Sequence, residues 1–163
     1  MKQKSIWLVA TCLTLHSCSG GFSKGVKKDL TTGLNSSYNG FAVEDIYLSV
    51  DGNKLNTNTI ALGKQVELIA DGVDYYAVKD GKVYPGCRII LTDKAGKEIL
   101  NLPDAFAEQT NGLEKDKAAS LRATLNTGSP MQVGETYHLS VRFFDKNKKE
   151  SEIVSNVDLM MKE

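Results

Sequence analysis

Histidine and cysteine are the side chains that most often act as a general base or a strong nucleophile. Beyond residue 18 the chain has one of each, His138 and Cys87. The sequence lacks the Gly-x-Ser-x-Gly, glycine-rich phosphate-binding and paired Cys or His metal-binding patterns. Sequence spacing alone does not exclude a catalytic triad. Because His138 lies between Tyr137 and Leu139 in an alternating run, we interpret it as a strand-face residue and predict that the protein is not an enzyme and uses no cofactor.

The cysteine at position 87 has no partner for an intramolecular disulfide beyond residue 18. A leftover thiol in an oxidising compartment is either buried and inert or available for pairing between molecules. Cys87 leads directly into the apolar run 88–91, which favours the buried thiol.

Two groups of oxygen ligands are candidates for a calcium site. The first is Asp71, Asp74 and Asp80, and the second is Asp145 with Asn147. Carboxylate and amide oxygens suit Ca²⁺, but neither group has the density of a calcium loop, and neighbouring lysines oppose a divalent cation. We interpret these residues as turn formers and predict no metal, and calcium binding remains an open alternative.

Three tyrosines lie close together in the sequence. Tyr75 and Tyr76 precede, and Tyr84 follows, the dipeptide Asp80-Gly81, whose type predicts a tight hairpin turn between strands at 75–79 and 82–84. If the three rings are exposed on one hairpin surface, they form a candidate ligand or partner surface, with a glycan as one ligand class. The alternative is that they fill the core or cover its edge.

The N-terminus has the parts of a secretory signal peptide. Two lysines precede an apolar stretch, residues 6–15, that is too short to span a bilayer, since a spanning helix needs about 20 apolar residues. The residues Leu15, Ser17 and Cys18 match the lipobox of bacterial lipoproteins, which this segment resembles, and His16 departs from it. The resemblance implies a type II signal peptide over residues 1–17 and lipid on Cys18. The alternative is an ordinary cysteine near a conventional cleavage site.

The style of this N-terminus resembles that of Bacteroidetes lipoproteins. Their surface-export signals place acidic residues after the lipidated cysteine, and none occurs from Ser19 to Lys28. Ser19 also resembles the outer-membrane sorting pattern of enteric bacteria. The resemblance therefore implies a lipid anchor in the outer membrane with the domain facing the periplasm, and surface exposure is the alternative.

The remaining chain has the size of one domain. Residues 18–40 are polar and glycine-rich, which predicts a lipidated flexible tether, and residues 41–163 form the predicted domain. The 20 Lys and Arg residues balance 20 Asp and Glu residues, so the chain has no net positive charge that would attract a nucleic acid.

Short runs of period two, separated by Gly, Pro, Asn and Asp, predict strands rather than helices. The runs lie at 43–50, 59–62, 64–70, 88–93, 98–102, 120–126, 136–144 and 151–161, and the first three are predicted antiparallel neighbours. The segment 104–119 is the one long irregular connection, and such loops are often functional or mobile.

The strand pattern predicts an all-β, antiparallel two-sheet sandwich of about 7–9 strands. The run Gly134 to Val141, with Tyr137 at a strand start as in a tyrosine corner, resembles immunoglobulin-like domains. The size and layout also resemble the small lipoprotein sandwiches that anchor type VI secretion complexes. We therefore expect a non-enzymatic scaffold that binds another envelope protein through strand edges or the 104–119 loop. A glycan-binding accessory lipoprotein is the alternative.

Overall fold

The computed structural model describes residues 23–163. Its secondary structure is almost entirely β, with one short 3₁₀ helix at Lys115–Ala118. The strands are β1 (Lys24–Lys28), β2 (Asn35–Asn39), β3 (Asp45–Val50), β4 (Asn53–Lys54), β5 (Thr59–Ala61), β6 (Gln65–Asp71), β7 (Pro85–Asp93), β8 (Glu98–Leu102), β9 (Ser120–Asn126), β10 (Thr136–Asp145) and β11 (Lys148–Lys162).

Two sheets pack face to face. The large sheet has the order β1-β2-β11-β10-β7-β8, with β5 pairing with β11, and the small sheet has the order β4-β3-β6-β9. Apart from the parallel pair of β5 with β11, the strands in both sheets pair antiparallel. The prediction of an all-β sandwich of two sheets is therefore confirmed.

The core comes from the inward-facing alternate residues of both sheets. In β9, β10 and β11 the alternate residues are buried, including Leu121, Leu139 and Leu159, as the period-two runs predict. Leu48 and Leu68 of the small sheet face them from the other side. Burying each such side chain is worth about 1.5–3 kcal/mol, so this alternation holds the two sheets together.

The strand order is immunoglobulin-like. The strands β3, β6 and β9 take the places of the A, B and E strands, and β7, β10 and β11 those of the C, F and G strands. The hydroxyl of Tyr137 at the start of β10 accepts a 2.9 Å hydrogen bond from the backbone N–H of Gln132. This is the tyrosine corner that the sequence predicts.

The run 59–62 lies in a different sheet from the one predicted. It forms β5, which pairs parallel with the end of β11 in the large sheet rather than antiparallel with β3 and β6. Ile60 is buried, and the N–H of Leu62 donates to the carbonyl of Lys162. The chain therefore crosses from the small sheet to the large sheet after β4 and returns to the small sheet at β6.

The predicted tether is wrong for residues 24–39. These residues form β1 and β2, and β2 adds to the edge of β11. Leu34 and Ser36 are buried, and the hydroxyl of Ser36 lies 2.8 Å from that of Ser155. The polar composition hides this strand because a hydrogen-bonded serine pair occupies a core position where an apolar residue would reveal the alternation.

The predicted strands at 75–79 and 82–84 are also wrong. Asp80 (φ 53°) and Gly81 (φ 74°) form the predicted tight turn, but its pairing extends only to Lys79 and Lys82. Tyr75 has a left-handed backbone (φ 69°), which interrupts an extended strand. Two positions later, the N–H of Ala77 donates to the carboxylate of Asp145 and not to the carbonyl group of a neighbouring strand.

Candidate functional site

The turn that joins β1 to β2 is held by one carboxylate. Asp29 accepts hydrogen bonds from the N–H of Thr31 (2.9 Å), the hydroxyl of Thr31 (2.6 Å) and the hydroxyl of Thr32 (2.8 Å). The bond from the Thr31 hydroxyl is the main cause that lowers the pKa of Asp29 to about 2. Gly33, which follows Thr32, has φ 73°, a left-handed conformation that suits glycine. The turn therefore has a defined shape although it lies at the surface.

An apolar side chain projects from this turn. Leu30 is 91% exposed, the highest value among the large apolar residues that the structure describes, whereas Leu34 on the same turn is 2% exposed. Val26 of β1 is 61% exposed and lines a shallow depression of about 280 Å³ on the outer face of the large sheet, together with Val154 of β11. We call Leu30, Val26 and this depression the hairpin surface.

A wider cleft lies between the hairpin and strands β3 and β4. It has a volume of about 750 Å³ and contains charges of both signs. Lys54 pairs with Asp45 at 2.7 Å, and Lys27 donates to the carbonyl of Glu44 at 2.8 Å. Three lysines and two aspartates line the cleft, so its charges nearly balance and give no strong preference for an anion or a cation.

The three predicted tyrosines do not share one surface. Tyr76 is buried, donates its hydroxyl to the carbonyl of Ala118 at 2.8 Å and packs edge-on against Phe41. Burial raises the pKa of Tyr76. Tyr75 is 44% exposed and Tyr84 is half-buried. Because Tyr76 lies in the core, the three rings do not form one exposed surface, and the alternative that the rings fill the core is confirmed for Tyr76.

His138 lies on the outer face of the large sheet, as predicted for a strand-face residue. Its Nδ1 atom lies 2.9 Å from a carboxylate oxygen of Asp158, which is its cross-strand neighbour on β11. Both side chains are about half exposed or more (49% and 65%). This geometry is that of a solvated cross-strand pair.

Cys87 is fully buried, which confirms the predicted location of this thiol. Burial raises the pKa of the Cys87 thiol to about 12. The thiolate form is therefore scarce at neutral pH, and the folded protein protects this group from reagents.

The candidate calcium ligands serve turns and ion pairs. Asp71 accepts the hydroxyl of Tyr47, Asp74 pairs with Lys115, and Asp145 accepts the N–H groups of Ala77 and Asn147. Asp80 occupies the tight turn. Within residues 23–163 no group of three or more His, Cys, Asp or Glu side chains is placed to hold a metal ion.

The connection 104–119 is irregular, as predicted, and it is tied to the domain at several points. Asp104 accepts the N–H groups of Cys87 and Phe106 and pairs with Lys146 at 2.8 Å. Phe106 packs against Phe143, and Ala118 is fully buried. These contacts hold both ends of the segment against the domain.

The predicted lipidation site, Cys18, lies outside the described residues. Within residues 23–163 no helix is long and apolar enough to cross a membrane.

Neither a protein-family model nor a curated protein matches the sequence. Among solved structures, the chain is similar to the C-terminal domain of Wzt, with 11% sequence identity and a TM-score of 0.49. The alignment covers 88% of this chain and 79% of that chain. No functional conclusion follows from a similarity at this level.

The hairpin surface is the feature that the sequence interpretation missed. The run Asp29-Leu30-Thr31-Thr32-Gly33 contains its signal, because an Asp followed by two threonines and a glycine is typical of a side-chain-capped turn. The single apolar residue inside that turn, Leu30, has no core to enter.

Proposed function

We propose that the protein is a non-enzymatic, lipid-anchored module of the bacterial cell envelope that binds another envelope protein through the hairpin surface. The observation that carries this proposal is the 91% exposure of Leu30 on a turn fixed by Asp29. A fixed turn presents the side chain in one position, which reduces the ordering cost of binding.

The energetic argument concerns what Leu30 gains from a partner. Fully burying a leucine side chain is worth about 1.5–3 kcal/mol relative to leaving it in water. Binding sites concentrate their energy in a few such anchors that enter apolar pockets on the partner. The partner that fits is therefore a protein with an apolar pocket for Leu30 and a polar rim that accommodates the lysines of β1.

The membrane attachment in this proposal is lipid on Cys18. Each buried methylene contributes about 0.8 kcal/mol, and a single chain binds only marginally, so two or three acyl chains provide a stable anchor. The resemblance of residues 1–18 to the signal peptide and lipobox of bacterial lipoproteins supports this attachment in the outer membrane, with the domain facing the periplasm.

Co-purification from native membranes tests the proposal. The wild-type protein, a Leu30→Asp variant and a Val133→Asp control are each solubilised in mild detergent and isolated, and bound proteins are quantified by mass spectrometry. Val133 is a suitable control because it is also an exposed apolar residue (49%). We expect the same protein with wild type and control and a reduction of at least tenfold with Leu30→Asp. Equal recovery with all three proteins would refute a role for Leu30.

The glycan alternative lacks a supporting observation. It depends on Tyr75, Tyr76 and Tyr84 forming one exposed surface, and Tyr76 lies in the core. Binding to a glycan array that disappears in a Tyr75→Ala variant would restore it.

A further inference from the structure

Ser23, the first described residue, lies at one end of the large sheet. Lys24 pairs with Asn39, which pairs with Glu152, and Glu152 pairs with Phe144, so these residues form one row across four strands. Ser23 lies beyond this row, where its carbonyl accepts the N–H of Gly40. The β10–β11 turn at 145–148 extends from the same end.

The proposed anchor is close to this end in sequence. Cys18 precedes Ser23 by five residues. Even a fully extended chain covers at most about 3.6 Å per residue, so Ser23 lies within roughly 18 Å of a lipidated Cys18. The end of the sandwich that carries Ser23 is therefore held near the membrane surface.

The two loops at this end form one fixed unit. The carboxylate of Asp145, which is 2% exposed, accepts the N–H of Ala77 at 2.7 Å and that of Asn147 at 2.8 Å. The N–H of Lys146 donates to the carbonyl of Tyr84. The tight turn at 79–82 and the turn at 145–148 consequently keep a constant position relative to each other.

Positive charge collects on these loops. Lys79, Lys82, Lys148 and Lys149 form no ion pair with any residue in the range 23–163, and the same holds for Lys24 at the start of β1. Two unpaired carboxylates, those of Asp80 and Glu150, lie among these five lysines. The small-sheet half of the same end carries Glu114 and Asp116 and the Asp74–Lys115 pair, so the positive excess is confined to the large-sheet half.

An exposed apolar side chain lies within the basic group. Val78 is 61% exposed and immediately precedes the tight turn. Basic side chains around an exposed apolar residue suit the boundary between phosphate headgroups and acyl chains.

We propose that this basal surface, formed by Lys24, Val78, Lys79, Lys82, Lys148 and Lys149, rests on anionic phospholipid headgroups and sets the orientation of the domain. This inference rests on the proposed lipid anchor at Cys18. The strand β1 runs from Lys24 to Lys28 and rises about 3.3 Å per residue, which is roughly 13 Å over its length. Leu30 lies in the turn beyond Lys28, so it is at least that much farther from the membrane than Lys24 when the strand stands upright on the surface. Contact at the basal surface therefore points the hairpin surface away from the membrane, toward a partner.

Site-specific quenching tests this orientation. Full-length lipidated protein is prepared with a single introduced cysteine, Val78→Cys or Leu30→Cys, and labelled with a fluorophore. Cys87 does not compete for the label because it is fully buried. The proteins are reconstituted in vesicles of phosphatidylethanolamine and phosphatidylglycerol that contain headgroup-nitroxide lipid. We expect at least threefold stronger quenching at position 78 than at position 30.

A charge variant with a matched control gives a second measurement. Lys79→Glu, Lys148→Glu and Lys149→Glu are combined in one protein, and Lys94→Glu, Lys97→Glu and Lys162→Glu, at the opposite end of the sandwich, in another. Each lysine at an anionic surface is worth roughly fivefold in partitioning, so the basal variant should lose contact by roughly a hundredfold. We expect its position-78 quenching to fall to that of position 30, while the control keeps the wild-type value.

The outcomes separate the two proposals. An unmodified Cys18 in the N-terminal peptide would overturn the lipid anchor and this inference with it. A lipidated protein with equal quenching at both positions, or with unchanged quenching in the basal variant, would overturn the orientation alone. Circular dichroism verifies that each variant is folded.

Discussion

Two leucines on one turn test whether residues 24–39 belong to the domain. Leu34 is 2% exposed and packs in the core, whereas Leu30, four residues earlier, is 91% exposed. Truncating a buried leucine to alanine costs about 2–5 kcal/mol, because the transfer free energy is lost and a cavity remains. The same truncation at an exposed position changes the free energy of unfolding by less than about 0.5 kcal/mol. Leu34→Ala and Leu30→Ala are therefore chemically identical substitutions with different expected costs.

Urea denaturation followed by circular dichroism measures both free-energy costs. Thermal denaturation gives a second measurement. For a domain of this size each kcal/mol shifts the melting temperature by roughly 3 °C, so Leu34→Ala should lower the melting temperature by roughly 6–15 °C. The slope with urea should stay the same if only the native state is affected. A Leu34→Ala variant as stable as wild type would show that this segment is a tether after all, and the hairpin surface would lose its structural basis.

Three further predictions concern titration and packing. Asp29 has a folded pKa below its unfolded value, so it stabilises the turn above pH of about 4, and this contribution is lost as the pH falls toward 2. The protection of the Thr31 amide, measured as its exchange rate relative to the intrinsic rate at the same pH, should therefore fall over that range in wild type and already be low at neutral pH in Asp29→Asn. Cys87 should resist a thiol reagent in native buffer and react fully in denaturant, and rapid native labelling would contradict its burial. Tyr76→Phe removes the hydrogen bond to the carbonyl of Ala118 and should cost about 0.5–1.5 kcal/mol in urea denaturation, whereas an unchanged stability would place that hydroxyl in water.

The strands with a regular apolar alternation could be predicted from the sequence. In β9, β10 and β11 an apolar residue occupies nearly every inward position, so the spacing reports the burial directly. The tyrosine corner at Tyr137 followed from its place at a strand start. These features depend on local patterns, which a single sequence contains.

The features that were missed depend on contacts between distant residues. The strand β2 is defined by the pairing of Ser36 with Ser155, and neither serine indicates a core position by itself. The parallel pairing of β5 with β11 depends on which sheet edge is free, and this is a property of the whole topology. Tyr76 is buried because Phe41 and Ala118 enclose it, so composition alone suggested a surface that does not form.

Photo-crosslinking from position 30 in the native envelope tests the central claim most directly. A photoreactive amino acid replaces Leu30 in the full-length protein, and a second protein carries it at Lys97, which is exposed at the end of the large sheet away from the hairpin. Crosslinked products and the N-terminal peptide are then identified by mass spectrometry. We predict lipid on Cys18 and one defined protein crosslinked from position 30 but not from position 97. Equal products from both positions, or none from position 30, would contradict binding through the hairpin surface.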